Sequence, residues 1–501
     1  MSQRYCPPAP SCLLESLRGL GYTLSTALAD LIDNSIAAAA THADVQVHSD
    51  GGERWITLTD DGHGMDDAAL EAAMRLGARD PRAERAANDL GRFGLGMKTA
   101  SFSQGRRLTV ASKTLGGVVS CLRWDLDQLQ DGDGHAWPLF EGPAAGSESR
   151  IEHLASMDSG TVVLIENLDR LVGDQHQTDD LIRLLDQLDA HLAMVFHRLL
   201  VPGRAGFRIT LNGRIVKGWD PFLLGHLGKA LESPEYSLIG GSPVLAQLHV
   251  LPHRDLLSDR EFTDAAGPSG WIQQQGIYVY RNKRLLVAGG WLGLGDGGRM
   301  WTRDEPHRLA RIRLDILNSE DVDWKIDVRK STATPPSRLR RQLIRLVGEA
   351  RAEARRAFAG RGVLPRNDSR DEQRLPDPWS TVRTKSGTSY KVARDHALVA
   401  SILDRAGPLK PDLLALFCLL EETLPVQRIW IDTAEEKETP RTGFADADES
   451  EVMETLRALF ESLTQHSRLT TQEARARLLR TPPFGSYAKL VNTLGTDAQT
   501  P

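Results

Sequence analysis

The segment LSTALADLIDNSIAAAA, residues 24–40, largely decides the fold that the sequence predicts. Its apolar side chains recur with the 3.6-residue period of an amphipathic helix. They are Leu24, Ala27, Leu28, Leu31, Ile32 and Ile36. Asp30, Asp33 and Asn34 fall close together near the opposite side, because residues three and four positions apart share one face of a helix. The segment therefore predicts a helix that packs on a core and carries a polar stripe.

Segments rich in Val, Ile, Leu and Thr follow this helix and predict strands. They cover residues 44–48, 54–60, 107–113, 117–124 and 160–167. Because a strong helix signal is combined with these strand signals, we expect a layered α/β fold before residue 170. A predicted helix at 178–200 and hairpin signals at Asn212-Gly213 and around Asn282 favour a second α/β domain.

Length and charge limit how the whole chain is organised. Its 501 residues correspond to about three domains. We place an N-terminal domain at 1–170, a second at 171–334, a basic helix and linker at 335–388, and a helical region at 389–501. The net charge of −6 excludes a uniformly basic nucleic-acid-binding surface but allows a local basic patch.

Composition also argues against several other classes of protein. No run approaches the roughly 18 apolar residues of a membrane span, so we expect no membrane association. Prolines interrupt the N-terminal segment, where a secretory signal would be apolar, so we expect a cytoplasmic protein. The four cysteines are scattered and form no C-x-x-C pair, so neither a disulfide framework nor structural zinc is expected.

Three polar segments carry the candidate chemistry, although each alone is more typical of a solvated helix face or a tight turn. In DLIDN, residues 30–34, the Asp30 carboxylate can hold a water while the Asn34 amide oxygen reaches a metal. In DDGHGM, residues 60–65, glycines allow a sharp turn and Asp60 can accept a hydrogen bond from an adenine amino group. In GRFGLGMK, residues 91–98, glycine amides can wrap phosphates whose charge Lys98 offsets.

The order and spacing of these segments resemble the GHKL superfamily of ATPases, which includes gyrase B subunits, MutL, the ninety-kilodalton heat-shock chaperone, sensor histidine kinases and MORC proteins. The resemblance spans about residues 11–170. It is strongest to prokaryotic MORC-like ATPases, in the segments LADLIDNSIAA, DDGHGMD and GRFGLGMKTAS. It implies a Bergerat-fold α/β sandwich that binds ATP and Mg²⁺, followed by an α/β transducer domain and a helical C-terminal region.

The resemblance assigns roles to individual side chains. Asn34 is similar to the Mg²⁺ ligand, Asp60 to the adenine-recognising carboxylate, and Thr161 to the threonine that supports the adenine contact. The other cofactor-binding positions lie in the turn beneath the base and in the lid over the phosphates. They are Gly62, Gly64, Met65, Gly91, Phe93, Gly94, Leu95, Gly96, Met97 and Lys98.

Asp30 stands where the superfamily usually has the glutamate that acts as the catalytic base. An aspartate holds its carboxylate one C–C bond, about 1.5 Å, further back, and a displacement near 1 Å can lower the rate about a hundredfold. We therefore expect a slow ATPase. Asp33 is a weaker candidate for the base, and its register favours a neighbouring structural or water-holding role.

Residues 323–331, DWKIDVRKS, resemble the transducer element that sends a lysine to the γ-phosphate. Lys330 is the favoured catalytic lysine and Lys325 the second choice. The alternative is a basic strand end in solvent. The resemblance further implies a homodimer that closes in the ATP state, with residues 1–20 packed against the partner subunit.

The predicted helix at 337–358 carries seven arginines and two glutamates, a local balance of seven minus two, or +5. Such a helix can contact DNA phosphates, or it can be a solvated face that pairs with acidic segments of the same chain. We predict that ATP hydrolysis drives closure and reopening of a MORC-like or MutL-like clamp that acts on DNA, with genome defence as its setting. The alternatives are an ATP-gated interaction protein with little hydrolysis and a chaperone-type ATPase that acts on protein clients.

Overall fold

The computed structural model divides into two compact units, Met1–Leu364 and Pro365–Pro501. The structure describes residues 10–50, 53–77, 96–129, 138–170, 178–200, 206–238, 244–327, 330, 332–359, 375, 377–384, 387–426, 428–429, 444, 447–481 and 483–495. The predicted α/β class is confirmed by sheets with helices packed on them.

An eight-stranded sheet forms the N-terminal part of the first unit. Its strands are β1 (His42–Asp50), β2 (Glu53–Asp60), β3 (Arg107–Lys113), β4 (Ser120–Asp125), β5 (Phe140–Glu141), β6 (Gly160–Glu166), β7 (Arg208–Leu211) and β8 (Arg214–Ile215). Their order across the sheet is β5-β4-β3-β6-β2-β1-β7-β8. Neighbours are antiparallel except β1 and β7, which are parallel.

The parallel pairing of β7 extends this sheet beyond residue 170, the predicted end of the first domain. The Asn212-Gly213 hairpin is confirmed, and both of its turn residues have positive φ angles, 47° and 78°, as a tight hairpin turn requires. It joins the first sheet, although we expected it in the second domain. The subdivision of the chain into domains stays a prediction.

Among the described residues, the α-helices of the same part of the unit are α1 (Pro10–Arg18), α2 (Leu24–Ala37), α3 (Asp67–Met74), α4 (Gly96–Phe102) and α5 (Thr178–Val195). Helix α2 begins after Thr23, whose hydroxyl accepts a hydrogen bond from the Thr26 amide at 3.3 Å. Its predicted apolar face is confirmed, because Leu28, Leu31 and Ile32 are buried in the core with the sheet.

The central strand β6 is buried at every position because both faces of the sheet are covered. Helix α2 lies in the core on one face. On the other face, Val162 and Leu164 of β6 pack in a small cluster with Ile151 and Leu154. The start of β6 is thereby fixed beside the end of β2, where Asp60 and Thr161 are register partners.

A six-stranded sheet forms the second half of the first unit. Its strands are β9 (Leu231–Glu232), β10 (Tyr236–Leu238), β11 (Val244–Val250), β12 (Gly276–Arg281), β13 (Arg284–Val287) and β16 (Ala310–Ile316). The order is β10-β11-β16-β12-β13, with β9 also paired to β11. The predicted hairpin around Asn282 is confirmed as the turn between β12 and β13.

Among the described residues, α-helices and a small hairpin also belong to this half. They are α6 (Asp259–Ala266), α7 (Gly270–Gln273), α8 (Ser337–Ala359), and the pair β14 (Gly295–Asp296) and β15 (Arg299–Met300). The helix predicted at 337–358 is confirmed as α8, and its apolar stripe packs on the second sheet. The buried residues of this stripe are Leu339, Leu343, Leu346, Val347, Ala350, Ala354 and Ala357.

The second unit is mainly helical, as predicted. It contains a hairpin of β17 (Trp379–Thr384) and β18 (Gly387–Val392), and helices α9 (Ala397–Arg405), α10 (Lys410–Glu422), α11 (Glu449–Glu461), α12 (Thr471–Arg480) and α13 (Ala488–Thr493). The sequence did not predict the hairpin, most of which lies in the expected linker. In the described part of the chain, no helix is both long and apolar enough to cross a bilayer.

Candidate functional site

The polar stripe of α2 lies at the edge of the first sheet, where β2 ends. Asp30 and Asp33 are buried, whereas Asn34 is exposed. The backbone carbonyl of Asn34 accepts a hydrogen bond from Ala38, which ends the helix. The Asn34 carboxamide is therefore accessible to a ligand, and an amide oxygen is a suitable ligand for a hard cation such as Mg²⁺.

Asp60 lies at the end of β2 with its carboxylate beneath α2. The Ser35 hydroxyl donates a hydrogen bond to Asp60 Oδ2 at 2.8 Å, and the Gly62 amide donates to Oδ1 at 3.0 Å. Burial raises the pKa of Asp60, and these two hydrogen bonds oppose the shift. The carboxylate is thus held in one orientation as a buried hydrogen-bond acceptor.

A chain of hydroxyl groups connects Thr161 to the turn after β2. Ser112 Oγ lies 2.8 Å from Thr161 Oγ1, and it also accepts a hydrogen bond from the Met65 amide at 2.8 Å. Thr161 pairs with Asp60 across β2 and β6 and with Ser112 across β3 and β6. The structure therefore brings together Asp60, Met65 and Thr161, three of the predicted residues, and adds Ser112, which the sequence did not reveal.

The two glycines of the turn are needed for close backbone approach. Gly64 has φ +67°, and a Cβ atom there would lie 1.9 Å from the Lys113 carbonyl oxygen. A Cβ atom on Gly62 would lie 2.8 Å from the Ala38 side chain. Only glycine fits both positions without movement of the chain. The predicted tight turn is thus packed against α2 and β3.

The predicted lid is only partly described. Gly91, Phe93, Gly94 and Leu95 lie outside the described residues. Gly96 begins α4, and Met97 is half-buried against the core of the first sheet.

The buried Lys98 ammonium group donates hydrogen bonds to the carbonyl oxygens of Ala73 at 2.7 Å and Arg75 at 2.9 Å. It therefore caps the C-terminal end of α3. Contact with a phosphate stays a prediction, because Lys98 would have to exchange these carbonyl groups for the ligand.

A buried cluster of charged groups connects α2 to the second sheet. The guanidinium Nε of Arg284, at the start of β13, lies 3.1 and 3.0 Å from the two Asp33 carboxylate oxygens. Lys330 Nζ lies 2.5 Å from Asp33 Oδ2 and 3.2 Å from Asp30 Oδ1. Burial opposes ionisation of Asp33, but the charges and hydrogen bonds of Arg284 and Lys330 hold its pKa below the usual value.

Asp30 belongs to the same cluster. Its Oδ2 accepts a hydrogen bond from the Tyr22 hydroxyl at 2.8 Å, and its Oδ1 lies 3.5 Å from the Arg284 guanidinium. Burial and the neighbouring Asp30 charge raise the pKa of Tyr22, which keeps this phenol protonated as a donor. Asp30 thus has a hydroxyl and two cations as partners.

Of the two candidate lysines, Lys330 lies in this cluster, whereas Lys325 is exposed. The structure therefore does not support the alternative that Lys330 is a basic strand end in solvent. Sequence reasoning missed Arg284 and Tyr22. The available signal for Arg284 was its position directly after the Asn282 turn, but no local pattern relates it to Asp33, 251 residues away.

Comparison with known proteins agrees with this geometry. Residues 22–161 match the family model described as "Histidine kinase-, DNA gyrase B-, and HSP90-like ATPase". None of the curated proteins compared with the chain matches it. Within the described residues, no group of three His, Cys, Asp or Glu side chains is arranged as metal ligands. The match, which runs from Tyr22 to Thr161, supports a GHKL-type domain in this part of the chain and, with it, ATP binding and hydrolysis in general.

Proposed function

We propose that the chain is a slow, Mg²⁺-dependent ATPase of the MORC-like or MutL-like kind, in which nucleotide binding closes a homodimer. The observation that carries the proposal is the pairing of Asp60 and Thr161 across β2 and β6, with the exposed Asn34 on α2 next to Ser35, which donates a hydrogen bond to Asp60. A fixed carboxylate acceptor, a hydroxyl chain and an accessible carboxamide are the groups that an adenine and a phosphate-bound metal require.

The adenine end of the site uses Asp60. Its carboxylate accepts a hydrogen bond from the exocyclic amine, and Thr161 with Ser112 positions this contact from β6 and β3. Guanine presents a carbonyl oxygen in place of the adenine amine, and two acceptors would then face each other. The site therefore favours ATP over GTP.

The phosphate end uses Asn34 for Mg²⁺, Asp30 for the attacking water and Lys330 for the γ-phosphate. In the structure Lys330 contacts Asp30, so its movement to a phosphate would remove a cation from the base. Hydrolysis would then require Lys330 to move from Asp30 to the phosphate, and the water would have to be held by the shorter side chain of an aspartate. Both features support slow turnover.

Calorimetry with Mg²⁺ and a non-hydrolysable ATP analogue tests the binding site. We expect Asn34→Ala and Asp60→Asn each to weaken binding at least about tenfold, the equivalent of one charge-assisted hydrogen bond. Asp61→Asn is a matched control, because Asp61 accepts hydrogen bonds from Thr41 and from the His42 amide instead. Binding without Mg²⁺ dependence, or unchanged in Asn34→Ala, would contradict the proposal.

Hydrolysis is tested separately by phosphate release. Asp30→Asn keeps the size of the side chain but removes the base. We expect a rate below that of the wild-type chain with binding retained. Equal background rates in both proteins would favour the alternative of an ATP-gated interaction protein with little hydrolysis.

We further propose that α8 contacts DNA. Arg341, Arg345 and Arg355 are exposed along one stripe of the helix. At a rise of about 1.5 Å per residue, this stripe is about 21 Å long from Arg341 to Arg355. Among the described residues these three form no ion pair, in contrast to Arg338, which pairs with Glu320.

Duplex DNA binding at two salt concentrations tests this surface. We expect Arg345→Glu to weaken binding and to reduce its salt dependence, since fewer counterions are released. Arg260→Glu is the control, because Arg260 is an exposed arginine on α6 with the same charge. Affinity that does not change with salt would contradict an electrostatic contact.

A further inference from the structure

The guanidinium group of Arg311, on β16, is buried without a carboxylate partner among the described residues. Arg311 lies on the face of the second sheet opposite α8, because the next residue, Ile312, points into the core that contains this helix. Its Nη1 donates hydrogen bonds to the carbonyl oxygens of Arg308 at 2.7 Å and Ala310 at 3.0 Å. Within the described part of the chain, its Nε and Nη2 have no hydrogen-bond acceptor.

His249 of β11 is the register partner of Arg311, so the two side chains lie on the same face of the sheet. Like Arg311 it has no exposed surface, and neither of its ring nitrogens has a hydrogen-bond partner in the described residues. The Phe222 ring packs on the imidazole, with 4.7 Å between the two ring centres. Burial lowers the pKa of His249 to about 4, so at neutral pH the imidazole is uncharged and offers one N–H donor.

The carboxylates on the neighbouring strands and turn do not compensate the charge of Arg311, because each is paired with another cation. Glu232 of β9 pairs with Lys229, Glu305 with Arg308, and Asp315 of β16 with Arg313. The Tyr278 hydroxyl donates to the Gln274 carbonyl oxygen at 2.7 Å, and burial raises the pKa of Tyr278 to about 12, so it adds no negative charge. A buried charge without a counter-charge is strongly unfavourable. The face therefore lacks a negative charge beside Arg311.

We propose that Arg311 and His249 bind a chloride ion on this face of the second sheet. The negative charge of the ion balances the guanidinium, and a monatomic anion can accept hydrogen bonds from Arg311 Nε, Arg311 Nη2 and the imidazole N–H. An organic anion has no route to side chains without exposed surface, whereas a small ion can be enclosed as the strands pack. A water molecule would accept hydrogen bonds but would leave the charge uncompensated.

The proposed ion belongs to the second sheet and not to the nucleotide-binding residues. In the sheet order, β12 lies between β16, which carries Arg311, and β13, which begins with Arg284. An ion at Arg311 therefore stabilises the sheet that holds Arg284 beside α2. The proposal is independent of ATP binding, and it is tested on the full-length chain without nucleotide.

Anomalous diffraction from crystals grown with sodium bromide in place of chloride locates the ion directly. Bromide carries the same charge and has an anomalous signal that water lacks. We expect a peak within hydrogen-bond distance of Arg311 Nη2 and a ring nitrogen of His249. Density without an anomalous signal at this position would identify a water molecule and would overturn the proposal, as would bromide peaks only at other positions.

Thermal unfolding of the wild-type chain, followed by tryptophan fluorescence, tests binding in solution. Chloride is raised from about 1 to about 100 mM, and gluconate keeps the ionic strength constant. Because an ion that binds only the folded state stabilises it by mass action, a dissociation constant of about 10 mM should raise the Tm by about 2–4 °C. A Tm that does not respond to chloride would contradict the proposal.

Two variants assign the chloride effect to the site. Arg311→Met keeps the length of the side chain but removes its charge, and it should abolish the response of the Tm to chloride. His249→Phe should reduce this response, and it serves as the test if Arg311→Met does not fold. Arg260→Met is the matched control, since Arg260 is an exposed arginine on α6, and it should respond as the wild type does. A full chloride response in both site variants would overturn the proposal.

Discussion

Arg284 and Asp33 form a buried ion pair between positions far apart in the chain. Their side chains are 4% and 2% exposed, so water screens the attraction only weakly. A buried pair contributes little net stability, because both groups lose their hydration. Removal of one partner is costly, since the other charge then stays buried without full compensation. Because Arg284 also lies 3.5 Å from Asp30, its loss would leave two buried carboxylates with less compensation.

We predict that Arg284→Gln lowers the free energy of unfolding by about 3–5 kcal/mol, the usual cost of a broken buried pair. Urea denaturation followed by tryptophan fluorescence measures this loss. Lys283→Gln is the control, because Lys283 is the exposed neighbour with the same charge. Addition of Asp33→Asn should recover part of the loss, and a loss below about 1 kcal/mol in Arg284→Gln would contradict the prediction.

Local residue chemistry indicated Asp60, at a strand end before a glycine turn, and the resemblance to the GHKL superfamily added Met65 and Thr161. The structure brings these three residues together. The partners of Asp33 could not be predicted, because they lie on β13 and on the segment near residue 330. Such contacts depend on how the two sheets pack, and sequence periodicity carries no information about that packing.

At the scale of single elements, hydrophobic periodicity predicted where helices and strands begin and end better than it predicted how the strands pair. Helices α2 and α8 and strands β3 and β6 have bounds close to those predicted, because each helix buries one continuous apolar stripe and the strands are buried on both faces. The β17 and β18 hairpin was missed because those of its side chains that the structure describes are largely exposed, and because most of it lies in a segment rich in Arg, Asp and Pro. The parallel pairing of β7 with β1 is equally invisible in a local pattern.

The turn after β2 gives an element-level prediction. Gly64→Ala should lower the free energy of unfolding by about 2–5 kcal/mol, because the new Cβ meets the Lys113 carbonyl in a left-handed backbone conformation. Gly116→Ala is a matched control, since Gly116 has φ +71° and open space around its Cβ position. Its cost should be about 1–2 kcal/mol. If urea denaturation shows equal losses of unfolding free energy in the two variants, the left-handed backbone conformation alone, without the contact to Lys113, explains why residue 64 is a glycine.

At the scale of the whole first unit, the site is shared between two sheets. Helix α2 supplies Asp30 and Asp33, and the second half of the unit supplies Arg284 and Lys330. Arg284 contacts both carboxylates and can hold the two halves together while Lys330 changes partner. A ligand changes the geometry between such halves only if it makes different contacts in the two arrangements. The γ-phosphate, which ADP lacks, would be this contact for Lys330.

Lys330→Gln tests this coupling, because a glutamine side chain can still lie near Asp33 but has no positive charge to bind a phosphate. We expect ATP-analogue affinity within about tenfold of the wild-type value, since Asn34 and Asp60 are unchanged, and phosphate release lower by about tenfold or more. Small-angle scattering should differ between the ATP-analogue and ADP complexes of the wild-type chain, but not between those of the variant. Lys325→Gln should behave as the wild type, because Lys325 is exposed. A nucleotide-dependent difference that persists in Lys330→Gln, or one that disappears in Lys325→Gln, would assign the phosphate contact to another group.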